Sequence, residues 1–238
     1  MKTLKRVVKK LANVFGLDIV RGGKKKHPFL WFKDLEIKTI IDVGANVGQF
    51  ANQVREVMPE VTIYSFEPVA HCFKELQSNM RGDANFMAFN CALGDEEKET
   101  QIYVNEYSPS SSLLHTTEIH ETTYPFTTKS HLENISVKTL DLIAADLSIK
   151  DNLLIKLDVQ GYEDRVILGG LKTIEKAKVL LVESSFDTLY EKQYLFDDLY
   201  EMLKKLGFTY HGSTNIERYK NNLPLFEDAI FIRNTITK

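Results

Sequence analysis

Residues 40–50 read IIDVGANVGQF, an apolar run that passes through one acid into two spaced glycines. The apolar run predicts a buried strand over residues 38–43, and the pattern after it predicts a helix over residues 48–58. Gly44 and Gly48 flank the turn between them, where a residue without a Cβ adopts left-handed conformations and lets a ligand approach the backbone closely. This segment therefore predicts a strand, a ligand-binding turn and a helix.

The chain on either side repeats the alternation of apolar strands and helices. The other predicted strands are residues 61–66, 85–92, 100–105, 135–138, 153–158, 178–183, 208–211 and 227–232, and the other helices are residues 68–80, a segment with Val166 and Leu168, and residues 195–206. Strands that alternate with helices form a parallel sheet covered on both faces. The last two strands lack an intervening helix, so one of them is expected to run antiparallel near the sheet edge. The predicted fold is α/β and Rossmann-like, with seven strands and a mostly parallel sheet.

The composition is that of one globular domain. The chain has 238 residues, of which 43% are hydrophobic and 26% charged, enough for a sizeable core. Its two cysteines, Cys72 and Cys91, are too few for a disulfide framework and lack metal-site spacing. Apolar runs are too short to span a bilayer, and the first residues lack the apolar centre of a signal peptide. These features predict a cytoplasmic protein with reduced thiols.

Positive charge is concentrated in residues 1–26. Nine basic residues face the single acid Asp18 there, a net charge of +8, which leaves −11 for residues 27–238. The apolar residues of this segment recur at helical spacing and predict a basic amphipathic helix. Such a helix either packs on the domain or lies against an anionic membrane surface or a partner. The acidic remainder argues against nucleic-acid binding.

Residues 105–135 lack sustained periodicity and predict an irregular insertion in the domain. Eleven of these 31 residues are Ser or Thr, and three of the six histidines of the chain fall here. A long irregular insertion in a compact domain is usually functional or disordered. Its place between the two halves of the sheet predicts a lid over a substrate, with Ser111 and His115 as candidate contacts. The alternative for each histidine is an exposed loop residue.

Two acidic residues are expected near the glycines of the first predicted turn. Asp42 ends the first strand, and Glu67 ends the next one about twenty residues after the turn, where an acid accepts the two ribose hydroxyls of a nucleoside. A dinucleotide site needs Gly-x-Gly-x-x-Gly, but Asn46 and Gln49 replace its second and third glycines. The pattern favours S-adenosylmethionine, which has no pyrophosphate and whose sulfonium favours nearby negative charge. Asp42, Gly44, Asn46 and Glu67 would hold it. A Rossmann-type oxidoreductase and a turn without ligand are the alternatives.

A second set of charged residues follows residue 155. Alternation along a strand places Lys156 and Asp158 on one face at the carboxyl end of their strand. A hydroxyl is a weak nucleophile, so Asp158 is the candidate base, Lys156 keeps it ionised, and Glu183 completes the group. The alternatives are a purely structural ion pair of Lys156 with Asp158 or Glu183, and a divalent ion on the two carboxylates. Glu163 begins the next helix and is either an acceptor contact or a helix-start residue.

Three further segments carry a family resemblance. Residues 66–68 read FEP, residues 90–95 read NCALGD, and residues 155–163 read IKLDVQGYE. Together with the turn they resemble the FkbM family of methyltransferases over about residues 36–210. The resemblance implies a class I methyltransferase fold, S-adenosylmethionine as cofactor, and O-methylation of a sugar, glycan or polyketide hydroxyl. The resemblance adds Gly48, Cys91 and Ala92 to the cofactor site. N-methylation and a catalytically silent relative stay open.

Overall fold

The computed structural model describes residues 27–127 and 129–234, so the predicted basic helix of residues 1–26 lies outside the described residues. The strands are β1 Thr39–Val43, β2 Thr62–Phe66, β3 Phe86–Phe89, β4 Ala92–Leu93, β5 Lys98–Asn105, β6 Ser130–Lys138, β7 Leu153–Leu157, β8 Ala177–Ser185, β9 Phe208–Arg218 and β10 Pro224–Arg233. The helices are α1 Trp31–Asp34, α2 Gln49–Val57, α3 Ala70–Asn79, α4 Glu118–Thr123, α5 Leu140–Ala144, α6 Glu163–Leu168, α7 Leu171–Ile174 and α8 Phe196–Lys205. Two 3₁₀ turns, Ser108–Ser110 and Pro125–Thr127, lie between β5 and β6.

Seven strands form the central sheet in the order β3-β2-β1-β7-β8-β10-β9. The first five of these run parallel, and β10 runs antiparallel to both β8 and β9. The prediction of a seven-stranded, mostly parallel sheet is therefore confirmed. The antiparallel strand lies one position in from the edge, because β9 folds back along β10 and becomes the edge strand.

The third predicted strand, residues 85–92, is wrong as a single element. The chain leaves the central sheet after β3 and pairs β4 with β6 in a second sheet of order β4-β6-β5. Asn90 makes the bend, since its side-chain amide donates to the carbonyls of Glu67 and Pro68, 2.9 Å away in each case. An apolar run on both sides of Asn90 hid the bend from pattern analysis.

The second sheet carries the insertion. β5 and β6 pair antiparallel from Lys98 opposite Val137 to Asn105 opposite Ser130, so residues 105–135 are not wholly irregular. They contain α4 and the first residues of β6. The Thr117 side chain caps α4 by accepting from the backbone N–H of His120. A helix this short and polar shows no apolar period, which is why the sequence did not predict it.

Apolar side chains cover the central sheet on both faces. All five residues of β1 are buried, with Ile41 and Val43 in one core cluster and Ile40 in the other. A fully buried aliphatic side chain contributes about 1.5–3 kcal/mol relative to an exposed one, so β1 is a rigid platform for the turn that follows it. No helix among the described residues has the length and apolarity needed to cross a membrane.

Candidate active site

A cavity of about 560 Å³ opens at the carboxyl ends of the parallel strands. The turn after β1 and the end of β2 form one wall, the ends of β7 and β8 form the floor, and the insertion closes the opposite side. Open α/β sheets bind ligands in this crevice. Most of the predicted site residues line it, including Gly44, Asn46, Glu67, Cys91 and Ala92 on the side of the turn.

The two glycines of the turn have different roles. Gly44 has φ +78°, and a Cβ built on it would lie 1.8 Å from the carbonyl oxygen of Asp158. Because Gly44 has no side chain, the turn can pack directly against the backbone of Asp158 at the end of β7. Gly48 has φ +92° and precedes α2, where a Cβ would lie 2.8 Å from Leu76. Gly48 does not line the cavity, so the structure places this predicted cofactor residue behind the turn, in the helix packing.

Glu67 holds the turn in place from the end of β2. One carboxylate oxygen accepts from the backbone N–H of Asn46 and the other from that of Val69, both at 2.8 Å. Burial raises the pKa of Glu67 to about 7. A carboxylate has about four acceptor positions, so the ones turned to the cavity stay available for a ligand.

Asp42 lies beneath the cavity and does not line it. Its carboxylate accepts from the Ser65 hydroxyl at 3.2 Å and lies 3.6 Å from the Lys156 ammonium. Burial raises its pKa, against the opposing charge of Lys156. The predicted direct cofactor contact of Asp42 therefore does not match its position, because the neighbouring strands enclose its side chain.

Lys156 and Asp158 form the ion pair that strand alternation predicts. The Lys156 ammonium lies 2.9 Å from the Asp158 carboxylate. Burial acts against both charges, yet the attraction between them wins: it holds the pKa of Lys156 above its usual value and that of Asp158 below its usual value. Asp158 keeps 33% of its side-chain surface accessible, so the ionised carboxylate faces the cavity while Lys156 supports it from below.

Glu183 lines the cavity beside Asp158. Burial, followed by the negative charge of Asp158, raises the pKa of Glu183 well above its usual value. The Gln160 amide nitrogen lies within hydrogen-bond distance of both carboxyl groups. No Lys156–Glu183 ion pair forms in the described part of the chain. There, no group of three or more His, Cys, Asp or Glu side chains is arranged to hold a metal ion.

The loop after β7 is tied down by Glu163 at the start of α6. Its carboxylate accepts from the backbone N–H of Val159 at 3.0 Å and that of Gly161 at 3.2 Å, and burial raises its pKa to about 7. Glu163 is buried at the cavity wall with both contacts inside its own loop. Its geometry fits the helix-start alternative better than an acceptor contact.

The insertion brings a different histidine to the cavity than the one predicted. His115 is exposed, lies outside the lining and contacts the Tyr103 hydroxyl at 2.5 Å. His120 is buried and lines the cavity, as does Ser111, whose hydroxyl accepts from the backbone N–H of Asn105 at 3.1 Å. Cys91 lines the cavity with a thiol whose pKa burial raises to about 11.

Sequence reasoning did not predict that Gln160 and Tyr190 connect to the two carboxyl groups. The Gln160 amide lies 3.0 Å from Asp158 and 2.5 Å from Glu183, and the Tyr190 hydroxyl donates to its oxygen at 2.6 Å. Gln160 lies inside the quoted segment 155–163, between the candidate base and Gly161. This position in the motif, two residues after the candidate base, was the signal in the sequence that could have marked Gln160 as a site residue.

Comparisons with known proteins assign the family. A family model described as the methyltransferase FkbM domain matches residues 42–210, more than half of the chain. The chain belongs to the FkbM methyltransferase family. The matched residues include three features that line the cavity: the turn after β1, Glu67 and the loop after β7. The resemblance inferred from the motifs is confirmed.

Two curated relatives of this FkbM chain are methyltransferases. One is the 2-O-methyltransferase NoeI of Sinorhizobium fredii, 26% identical over 161 residues, which cover 65% of this chain and 66% of the relative. The other is methyltransferase 1 of Beauveria bassiana, 28% identical over 142 residues, which cover 55% of this chain and 57% of the relative. The chain thus spans less than two thirds of the length of either relative.

Solved structures agree on the fold. A provisionally assigned O-methyltransferase from Klebsiella pneumoniae superposes with a TM-score of 0.51 at 10% sequence identity, covering 97% of this chain and 89% of that chain. At this identity the likeness concerns the fold alone. It confirms the Rossmann-like class I methyltransferase fold.

Proposed function

We propose that the protein is an S-adenosylmethionine-dependent methyltransferase that methylates a hydroxyl of a sugar or glycan acceptor. The observation that carries the proposal is the arrangement of one cavity, with the glycine turn and Glu67 at one end and the Lys156–Asp158–Glu183 group at the other. Family membership supports methyl transfer.

The cofactor end of the cavity fits S-adenosylmethionine. Glu67 would accept hydrogen bonds from the ribose hydroxyls, and Asn46 and the backbone after Gly44 would bind the amino acid end. Cys91 with Ala92 forms an apolar wall of the cavity. Among the residues described, Lys156 is the one lysine or arginine of the lining, against several acids. This balance suits a cation. When bound, the cofactor supplies an electrophilic methyl group on its sulfonium.

The chain's own residues prepare the acceptor at the other end. Asp158, ionised and partly accessible, accepts a hydrogen bond from the acceptor hydroxyl and orients its oxygen for an in-line displacement. Its low pKa makes it a weak base for a resting hydroxyl. As the acceptor oxygen bonds to the methyl carbon, the bond from that carbon to sulfur would break and leave S-adenosylhomocysteine. The hydroxyl would become strongly acidic at that point, and Asp158 would take its proton. Lys156 keeps the carboxylate charged until that point.

A carbohydrate acceptor is supported by the opposite wall. Tyr124, Phe126 and Tyr190 line the cavity there, and flat aromatic faces suit the apolar side of a sugar ring. Phe126 is 61% exposed and packs edge-on against Tyr107, so the aromatic surface continues to the mouth of the cavity. The 2-O-methyltransferase name of the relative NoeI supports oxygen as the acceptor atom.

An acceptor screen tests the proposal. The full chain is incubated with methyl-labelled S-adenosylmethionine and a panel of methyl glycosides, each paired with its amino-sugar counterpart, and binding of S-adenosylhomocysteine and of NAD is measured by calorimetry. We expect S-adenosylhomocysteine to bind, NAD not to bind, and an O-methyl ether to form on a glycoside. Label on the amino sugars alone would indicate N-methylation, and binding of NAD alone would contradict the assignment.

A further inference from the structure

A chain of hydrogen bonds joins the insertion to the two carboxyl groups of the cavity. The amide nitrogen of Gln160 lies 3.0 Å from Asp158 Oδ1 and 2.5 Å from Glu183 Oε2. Its amide oxygen lies 2.6 Å from Tyr190 Oη, which lies 3.3 Å from His120 Nε2 in α4. The Gln160 side chain thus contacts Asp158, Glu183 and Tyr190 directly, and Tyr190 extends the series to His120.

The direction of donation along this chain follows from the groups themselves. An amide oxygen only accepts, so the Tyr190 hydroxyl donates to Gln160, and desolvation raises the pKa of Tyr190 well above its usual value, which keeps that proton in place. Its hydrogen is then used, so His120 donates from Nε2. Burial lowers the pKa of His120, which favours its neutral ring. Both amide hydrogens of Gln160 therefore point at the carboxyl groups.

The backbone of Gln160 is also held from two sides. It has φ +56°, a left-handed conformation that residues other than glycine seldom adopt. Its carbonyl accepts from the Ser112 hydroxyl at 2.7 Å, and Gly161 follows with φ +94°, where a Cβ would lie 3.0 Å from Tyr190. Unusual conformations persist where the surroundings impose them, often at functional sites.

We propose that Gln160 is a positioning residue for methyl transfer: its amide holds Asp158 and Glu183 as one pair toward the acceptor, and Tyr190 determines which end of the amide faces them. If the amide turned over, its oxygen would face the carboxyl oxygens and repel them. Because this series of hydrogen bonds ends at His120 in α4, the insertion that lines the cavity also sets the orientation of the carboxyl pair. The inference rests on the proposed function for the identity of the reacting group.

The sign of the expected pH effect follows from the hydrogen bond. An N–H donor stabilises the ionised carboxylate, and the bond from Gln160 is one cause that keeps the pKa of Asp158 low. Removing the donor raises the pKa of Asp158. As the pH falls, the carboxylate is then protonated at a higher pH than in the unaltered protein. The other titratable groups that face the pair are Lys156 on β7, Asp42 on β1, Glu67 after β2, Glu163 on α6, Asp228 on β10, and Tyr124 and Tyr190.

The experiment is a carboxyl-carbon NMR titration of the full chain with ¹³C-labelled Asp and Glu, bound to S-adenosylhomocysteine. Asp158→Asn identifies the resonance, and Gln160→Met keeps the length of the side chain without its donors. We expect Gln160→Met to move the Asp158 titration up by about one pH unit, the scale of one strong hydrogen bond. Tyr190→Phe should move it less and in the same direction, and adding Tyr190→Phe to Gln160→Met should change nothing more.

The matched control is Tyr219→Phe, which removes a hydroxyl that donates to Asp187 at 2.8 Å outside the cavity, and it should leave the titration unchanged. An Asp158 titration that does not move in Gln160→Met or in Tyr190→Phe would overturn the proposal. Fully additive shifts in the double variant would overturn the route through Tyr190.

No acceptor is needed, so these results are separate from the outcome of the glycoside screen. With an acceptor, the acid limb of kcat should move with the titration while KM for S-adenosylmethionine stays constant.

Discussion

Replacing Glu67 by Gln tests the cofactor end of the cavity. The amide keeps the length of the side chain but has one accepting oxygen, so one of the backbone N–H groups of Asn46 and Val69 loses its acceptor. The negative charge available to the ribose hydroxyls disappears as well. Cofactor affinity and folding stability should therefore both fall.

The size of each effect follows from the bonds involved. A hydrogen bond to a charged group contributes about 1.5–3 kcal/mol, so the Kd for S-adenosylhomocysteine should rise about 10- to 100-fold in Glu67→Gln. One buried N–H group without a partner costs about 1–3 kcal/mol, which is the expected decrease in the free energy of unfolding.

Titration calorimetry with S-adenosylhomocysteine measures the first effect and denaturant unfolding the second. Glu133→Gln is the matched control, because the Glu133 carboxylate accepts from the Ala70 backbone N–H at 2.9 Å outside the cavity. Because its amide oxygen can still accept this single bond, the control should keep most of its stability and keep its Kd. A Kd in Glu67→Gln that equals the unaltered protein's would refute the ribose contact.

Three further predictions concern protons, catalysis and the first residues of the chain. Burial raises the pKa of Glu67 to about 7, and hydrogen bonds from the ribose hydroxyls favour its ionised form. Binding of S-adenosylhomocysteine at pH 7 should therefore release protons. Calorimetry in buffers of different ionisation enthalpy measures this release, and its absence would contradict the prediction. Asp158→Asn should bind S-adenosylhomocysteine normally and transfer methyl about 10²- to 10⁴-fold more slowly, and an unchanged kcat would exclude the base. Deleting residues 1–15 should leave that binding intact; a domain that unfolds without them would show that this segment belongs to the core and not to a membrane or partner contact.

Local patterns were sufficient for the parts of the site that one strand determines. The apolar run of β1 and the spacing to Glu67 predicted the crevice, because parallel strands end at the same edge of the sheet. Alternation along β7 predicted the contact between Lys156 and Asp158, which lie two residues apart on one face. These inferences need no information about distant segments.

Predictions that depend on neighbouring strands were less successful. Asp42 was expected at the cofactor, but Ser65 and Lys156 flank it in the sheet register and enclose its side chain below the cavity. The selection of His120 instead of His115 depends on α4, a helix too short to leave a periodic signal. The role of Gln160 depends on contacts 23 and 30 residues away in sequence, to Glu183 and Tyr190.

A crystal structure of the full chain with S-adenosylhomocysteine tests the central claim most directly, which is that the turn after β1 and Glu67 hold the cofactor. The ribose hydroxyls should lie within hydrogen-bond distance of the Glu67 carboxylate, and the sulfur should lie next to the cavity space beside Asp158. Adenosine bound elsewhere, or a sulfur turned away from Asp158, would contradict the account.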